Sequence, residues 1–188
     1  MRHDCAALEG IEFDASVDLY RAAPEEVRVA HSIEAQEVGS AKCLVCRGIG
    51  PAAVFRRIAG LGVGRATNET ELDEALAFMD GRRLVYAVPV GSQAQPATLA
   101  SWLEQRGFAR GYAWMKFCGP CNPAAQAESD LEIRVVDHGL GGEFGQVVSE
   151  GFGLPSTIAP WVGTLAGRTN WICVMAFSGS AAQRAPLT

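Results

Sequence analysis

The chain has 188 residues, of which 48% are hydrophobic and 20% charged, and its formal net charge is −5. This composition provides enough apolar material for a packed core and carries no mark of disorder. Without a basic stripe, a nucleic-acid-binding surface is excluded. No apolar run approaches the roughly 18 residues that span a bilayer, and acidic residues stand where a signal peptide would be apolar, so we expect a cytoplasmic protein without a membrane partner.

The first part of the chain predicts helices followed by two strands. A short helix is predicted at 14–21 and a longer one at 24–38, where Pro24 suits the first helical position and Gly39 the stop. Strand-like apolar runs at 41–47 and 52–59 flank a glycine and proline turn. These two strands are expected to be neighbours.

An amphipathic helix is predicted at 68–79, because apolar side chains recur there at helical spacing: Leu72, Ala75, Leu76 and Met79. A strand at 84–90, a helix at 96–106 and a strand at 109–117 follow. The four tryptophans fall on apolar faces of predicted elements and are expected in the core: Trp102, Trp114, Trp161 and Trp171.

A segment rich in proline, alanine and polar residues at 119–130 predicts a linker. Beyond it the chain predicts a strand at 131–136, helices at 143–152 and 158–165, and a strand at 171–177. The last strand is continuously apolar, a pattern that expects cover on both faces. It also motivates a homodimer by strand exchange as a hypothesis.

The order of these elements, together with several runs, resembles the GNAT superfamily of acyl-CoA-dependent N-acyltransferases. The runs are 55–62, 67–75, 95–108, Phe152-Gly-Leu-Pro and Ala159-Pro-Trp161. They are similar to tandem bacterial members, which carry a degenerate first half and a second half that binds acetyl-CoA. The resemblance implies an α+β fold with a mostly antiparallel sheet and helices on both faces.

The resemblance also implies a domain organisation. A degenerate domain is expected at 1–118 and the first part of a second such unit at 131–188. This second unit stops near residue 178, before the strand and phosphate-binding loop that would hold the cofactor. We therefore expect the chain to be catalytically incomplete.

The implied activity is transfer of an acetyl group from acetyl-CoA to an unidentified amine. By resemblance, the cofactor phosphates would be held at Arg57, Gly60, Gly62 and Gly64. However, five residues separate Gly62 from the following helix. Asn68 and Glu71 can form a capping box that occupies its first N–H groups, and the nearby acids oppose a pyrophosphate. The alternative is a non-catalytic binding or structural domain.

Catalytic residues are not identified by the sequence. Members of the superfamily use a glutamate as base or a tyrosine as acid, and Tyr86 and Tyr112 lie on strands that would flank the acyl group. Both are more typical of core or rim aromatics.

Two Cys-x-x-Cys pairs raise a third function, a thiol redox module. Cys43 and Cys46 would point to opposite faces of a strand and could not share a metal. Cys118 and Cys121 spell a dithiol motif but lead into the linker rather than a helix. The histidines His3, His31 and His138 are isolated, so no metal site is expected.

Overall fold

Two small antiparallel sheets and seven α-helices make up the described part of this α+β chain. The computed structural model describes residues 5–50, 52–116 and 129–178. The elements are α1 Cys5–Arg21, α2 Glu25–Ala30, β1 Glu34–Val38, β2 Ala41–Val45, α3 Ala52–Phe55, β3 Arg57–Ala59, α4 Glu69–Asp80, α5 Leu99–Gln105, β4 Leu131–Val135, α6 Gly141–Gly151, α7 Ala159–Gly163 and β5 Val174–Ser178.

The prediction of one helix over 24–38 is wrong in its second half. Helix α2 ends at Ala30, Ser32 has a positive φ of 47°, and strand β1 begins at Glu34. Strand β1 pairs with β2 from Glu34↔Val45 to Val38↔Ala41. Gly39, with φ of 58°, is therefore a hairpin-turn residue instead of a helix stop.

The strands predicted after β2 are shorter than expected. Residues 52–55 form a single helical turn, and only Arg57–Ala59 pairs with β2. Within 84–90, only Ala87 pairs with the sheet, through a single parallel bridge to Arg57. Residues 109–116 form no strand, and several of their side chains are exposed.

Helices cover both faces of the three-stranded sheet. Cys43 and Val45 of β2 pack against α4 and α5, in a cluster that includes the four apolar residues predicted for α4. Leu44 and Cys46 pack on the other face, against α1 and α2. The alternation of β2 side chains thus divides the core into two layers.

The second sheet, β4 with β5, packs on α6 and α7. Helix α6 is confirmed close to its predicted bounds, and α7 follows the 3₁₀ turn Ser156–Ile158. Met175 and Cys173 point into the core beside these helices. The expected cover on both faces of the last strand is wrong, because Val174 is 38% exposed on the side away from them.

Helix α1 joins the two parts of the fold. Trp161 of α7 is fully buried among core residues of the first sheet, and its ring meets Tyr20 edge-on at 5.2 Å. Asp18 accepts hydrogen bonds from Arg168 at 2.6 Å and from the Trp171 indole at 2.7 Å. In the described residues, none of the helices has the length and apolar character needed to cross a membrane.

Candidate functional site

Strand β3 and the loop that joins it to α4 contain the residues that the resemblance associates with phosphate binding: Arg57 begins the strand, and the three glycines lie in the loop. Arg57 is 6% exposed, and its guanidinium faces α1. It donates to Glu12 Oε1 at 3.0 Å and to Ser16 Oγ at 2.8 Å, while its Nε has no partner. This charge is neutralised within the fold and is directed into the sheet–helix layer.

Backbone from the segment before α5 lies against the glycines of this loop. Gln95 donates its N–H to the Gly62 carbonyl at 2.9 Å, and Thr67 donates its N–H to the Gln95 carbonyl at 2.9 Å. A Cβ at Gly62 would lie 2.7 Å from the Gln95 nitrogen, so only glycine allows this approach. Gly60 is buried beside the Ser40 carbonyl, whereas Gly64 is exposed with open space around it.

The start of α4 is capped by Asn68, as the sequence predicts. Its side-chain oxygen accepts the Glu71 N–H at 2.9 Å, which satisfies one of the free donors of the first turn. In a full capping box the Glu71 carboxylate would also accept the backbone N–H of Asn68, but this bond is not among those that Glu71 makes. This carboxylate turns toward the β1–β2 hairpin and accepts the N–H of Ser40.

Glu71 is the buried anion of this region, with 7% of the residue exposed. Thr67 Oγ1 donates to its Oε2 at 2.9 Å, and Arg65 donates to both oxygens at 2.7 and 3.2 Å. Burial by itself raises the pKa of a carboxyl, but the hydrogen bonds from Ser40, Thr67 and Arg65 outweigh it, so the pKa of Glu71 lies below its usual value. The carboxylate is held charged by a set of donors that would also suit an external anion.

A surface groove of about 480 Å³ lies on the outer side of α4. Its lining includes Asp73 and Asp80 of α4, two turns apart on one face, with Tyr86 and Phe108 opposite. Asp73 pairs with Arg106 at 2.6 Å, and Asp80 accepts the Tyr86 hydroxyl at 2.8 Å. The groove therefore combines aromatic walls with two carboxylates, of which one is balanced by a cation.

Tyr86 and Tyr112, the two candidates for a general acid, lie in different surroundings. Burial and the neighbouring Asp80 carboxylate raise the pKa of Tyr86, because both disfavour the phenolate. Tyr112 is 63% exposed and its ring lies 5.6 Å from that of Trp114. Trp114 is itself 54% exposed, so its predicted place in the core is wrong.

The cysteine geometry agrees with the prediction for the first pair. Cys43 and Cys46 are free, buried, and packed in the clusters on opposite faces of the sheet. Burial raises the pKa of each thiol to about 12. Cys118 and Cys121 lie outside the described residues, as does His3.

Of the two described histidines, His31 joins two segments of the chain and His138 lies in a turn. His31 contacts the Arg47 carbonyl at 3.1 Å and Thr157 Oγ1 at 3.0 Å, and His138 begins a 3₁₀ turn. Within residues 5–50, 52–116 and 129–178, no group of three His, Cys, Asp or Glu side chains could hold a metal ion.

Comparisons of this chain with protein-family models, with curated proteins and with solved structures found no match. The geometry identifies two features that the sequence reasoning missed. One is the set of donors around Glu71, and the other is the groove beside α4. The i, i+7 spacing of Asp73 and Asp80 places both on one face of α4, but nothing in the sequence places Tyr86 and Phe108 beside them. Likewise, no local signal links Ser40 to Glu71.

Proposed function

We propose that this chain is a GNAT-like protein whose described first part is a non-catalytic, structural unit. The observation that carries the proposal is the Glu71 carboxylate, which accepts hydrogen bonds from Ser40, Thr67 and Arg65 next to the glycine loop. A buried carboxylate with its own donors competes with an incoming phosphate, because both are anions and both need those donors.

Two further contacts support the proposal. Arg57, the cation of the phosphate signature, is already paired with Glu12, and the Gly62 carbonyl is bonded to the Gln95 N–H. A pyrophosphate held by Arg57 or against Gly62 would have to displace these contacts. The structural role itself is supported by α1, which packs on the first sheet and binds Arg168 and Trp161 of the second part.

Calorimetric titration of the full chain with acetyl-CoA tests this proposal. We expect no saturable heat up to about 1 mM ligand, whereas a dissociation constant below about 100 μM would refute the non-binding role. Gly64→Asp serves as the companion variant, because its Cβ meets open space and the new carboxylate would repel a phosphate. Gly64 has a positive φ of 73°, a conformation that aspartate adopts more readily than most residues, and circular dichroism checks that the variant is folded. Binding that is lost in this variant would place the cofactor at the loop, and binding that survives would place it elsewhere; either result contradicts the proposal.

A second candidate function is acetylation of an amine, and the groove beside α4 favours it. In this reaction the amine nitrogen attacks the thioester carbonyl of acetyl-CoA, a C–N bond forms, the C–S bond breaks, and the thiolate takes the proton lost by the amine. The amine would bind in its ammonium form, with its charge between Asp80 and the rings of Tyr86 and Phe108. It would release one proton to solvent before its nitrogen attacks, and the proton lost after the attack goes to the thiolate.

Release of CoA from acetyl-CoA in the presence of a panel of primary amines tests the second candidate. Amine-dependent release that falls at least about tenfold in Asp80→Asn, but not in Asp14→Asn, would support it. Asp14 is a suitable control because its side chain is 77% exposed and lies on α1, away from the groove residues. No amine-dependent release with any amine would oppose it.

A further inference from the structure

Strand β4 has a backbone edge that no other strand covers in the described part of the chain. The second sheet contains β4 and β5 alone, paired antiparallel with Ile133 opposite Ala176 and Val135 opposite Val174. Unpaired edges of this kind accept a further strand through their free N–H and C=O groups.

The hydrogen-bond pattern shows which residues of β4 have free backbone groups. Val136 donates its N–H to Cys173, its direct partner in the same register, so these two form a hydrogen-bonded pair. Pair types alternate along an antiparallel ladder, so Arg134 also bonds toward β5, whereas the N–H and C=O groups of Ile133 and Val135 point to the open edge.

The side chains of β4 divide into an apolar and a charged face. Leu131, Ile133 and Val135 lie on one face, where Ile133 is 60% and Val135 71% exposed. Glu132 and Arg134 lie on the other face and pair with each other within the strand. The sequence Leu-Glu-Ile-Arg-Val is therefore self-complementary when it is read against itself in the opposite direction.

We propose that β4 pairs antiparallel with β4 of a second copy of this chain, in the register centred on Ile133. Ile133 then faces its own counterpart as a hydrogen-bonded pair, through the backbone groups that point to the open edge. Leu131 lies opposite Val135 on one face, and Glu132 lies opposite Arg134 on the other. The Glu–Arg pairs occupy non-hydrogen-bonded positions, where cross-strand side chains approach closest.

The charges select this register over its neighbours. A shift of two residues in either direction places Glu132 against itself or Arg134 against itself, and both arrangements are repulsive. A shift of one residue sets the charged face of one strand against the apolar face of the other. Strand β5 carries no charge in Val174–Ser178 that would fix a register in the same way.

Sedimentation equilibrium of the full chain and of charge variants tests the pairing. We expect the wild-type chain to dimerise below about 100 μM, and Glu132→Lys and Arg134→Glu each to weaken self-association at least about tenfold. An equimolar mixture of the two variants should form a heterodimer, because each strand then finds opposite charges on the other. Circular dichroism of each variant checks that the monomer is folded.

Three results would overturn the pairing. The first is a wild-type chain that stays monomeric up to about 100 μM, and the second is a mixture of the two charge variants that gains no dimer over its components. The third involves Ile172→Ser, which removes an 80% exposed apolar side chain outside both strands. If this variant dissociates the dimer as strongly as the charge variants do, association uses the sheet face and not the β4 edge.

Discussion

The indole N–H of Trp161 donates a 2.7 Å hydrogen bond to the carbonyl oxygen of Leu19. Leu19 belongs to α1 and Trp161 to α7, and the two residues are 142 positions apart in the sequence. Trp161 is fully buried, so its ring and its bond together hold the second part of the chain on the first.

Truncation of Trp161 tests that connection. We expect Trp161→Ala to lower the free energy of unfolding by about 3–5 kcal/mol, because it leaves a cavity in the shared core. Trp161→Phe keeps most of the ring and should cost less. Trp114→Ala is the matched control, since Trp114 is 54% exposed, and its effect should stay within about 0.5 kcal/mol. Guanidinium denaturation measures all three, and equal losses in Trp114→Ala and Trp161→Ala would contradict the expectation.

Helices α6 and α7 cross closely, so alanine substitutions at two glycines of α6 are expected to change stability in opposite directions. A Cβ at Gly145 would overlap the Ala159 carbonyl and lie 2.9 Å from the Gly163 nitrogen, whereas a Cβ at Gly142 meets nothing within 4 Å. Gly145→Ala should therefore lower the thermal midpoint. Gly142→Ala in the same helix should raise stability by up to about 1 kcal/mol, because alanine loses less backbone entropy on folding. Differential scanning calorimetry distinguishes the two, and stabilisation by Gly145→Ala would show that the helices can separate at little cost.

Glu71 makes the stability of the fold depend on pH. Because the pKa of its carboxyl is lower in the folded than in the unfolded chain, its contribution is present above about pH 5 and is lost as the pH falls through the folded pKa. Glu71→Gln should cost about 1–3 kcal/mol at neutral pH, since an amide cannot accept from all of these donors. It should also show a smaller loss of stability on acidification than the wild type.

The control for this pH dependence is Glu74→Gln, an exposed position on the same helix. Urea denaturation curves recorded from about pH 7 to about pH 3 should be parallel for this control and the wild type. If Glu71→Gln loses as much stability as the wild type on acidification, the lowered pKa of Glu71 has no part in the stability of the fold.

The three cysteines whose side chains the structure describes, Cys43, Cys46 and Cys173, are expected to be unreactive in the folded chain. Burial raises the pKa of Cys43 and of Cys46 to about 12 and raises that of Cys173 as well. In a variant with serine at Cys5, Cys118 and Cys121, a disulfide reagent should label none of the remaining thiols near neutral pH and all three after denaturation. Rapid labelling of the native variant would show that one of them is accessible.

Helix α4 and strand β2 could be predicted because their signals lie within a few residues of each other. In α4, the helical spacing of Leu72, Ala75 and Met79 and the cap at Asn68 agree. Strand β1 could not be predicted, since Glu34–Val38 is short and mostly polar. It forms a strand only because β2 provides its hydrogen-bonding partners. The opposite occurs at 84–90, where an apolar run predicts a strand but only Ala87 forms a bridge.

The sequence by itself determined the α+β class, the capped helix α4 and the opposite faces of Cys43 and Cys46, because periodicity and capping act within a single turn or strand. Only the tertiary structure decided where the Glu71 carboxylate goes. Its partner Ser40 is 31 residues away, and the hairpin that brings them together forms through pairing with β2. A buried charge takes whatever donors the folded chain places beside it, and that placement depends on contacts between segments that are distant in the sequence.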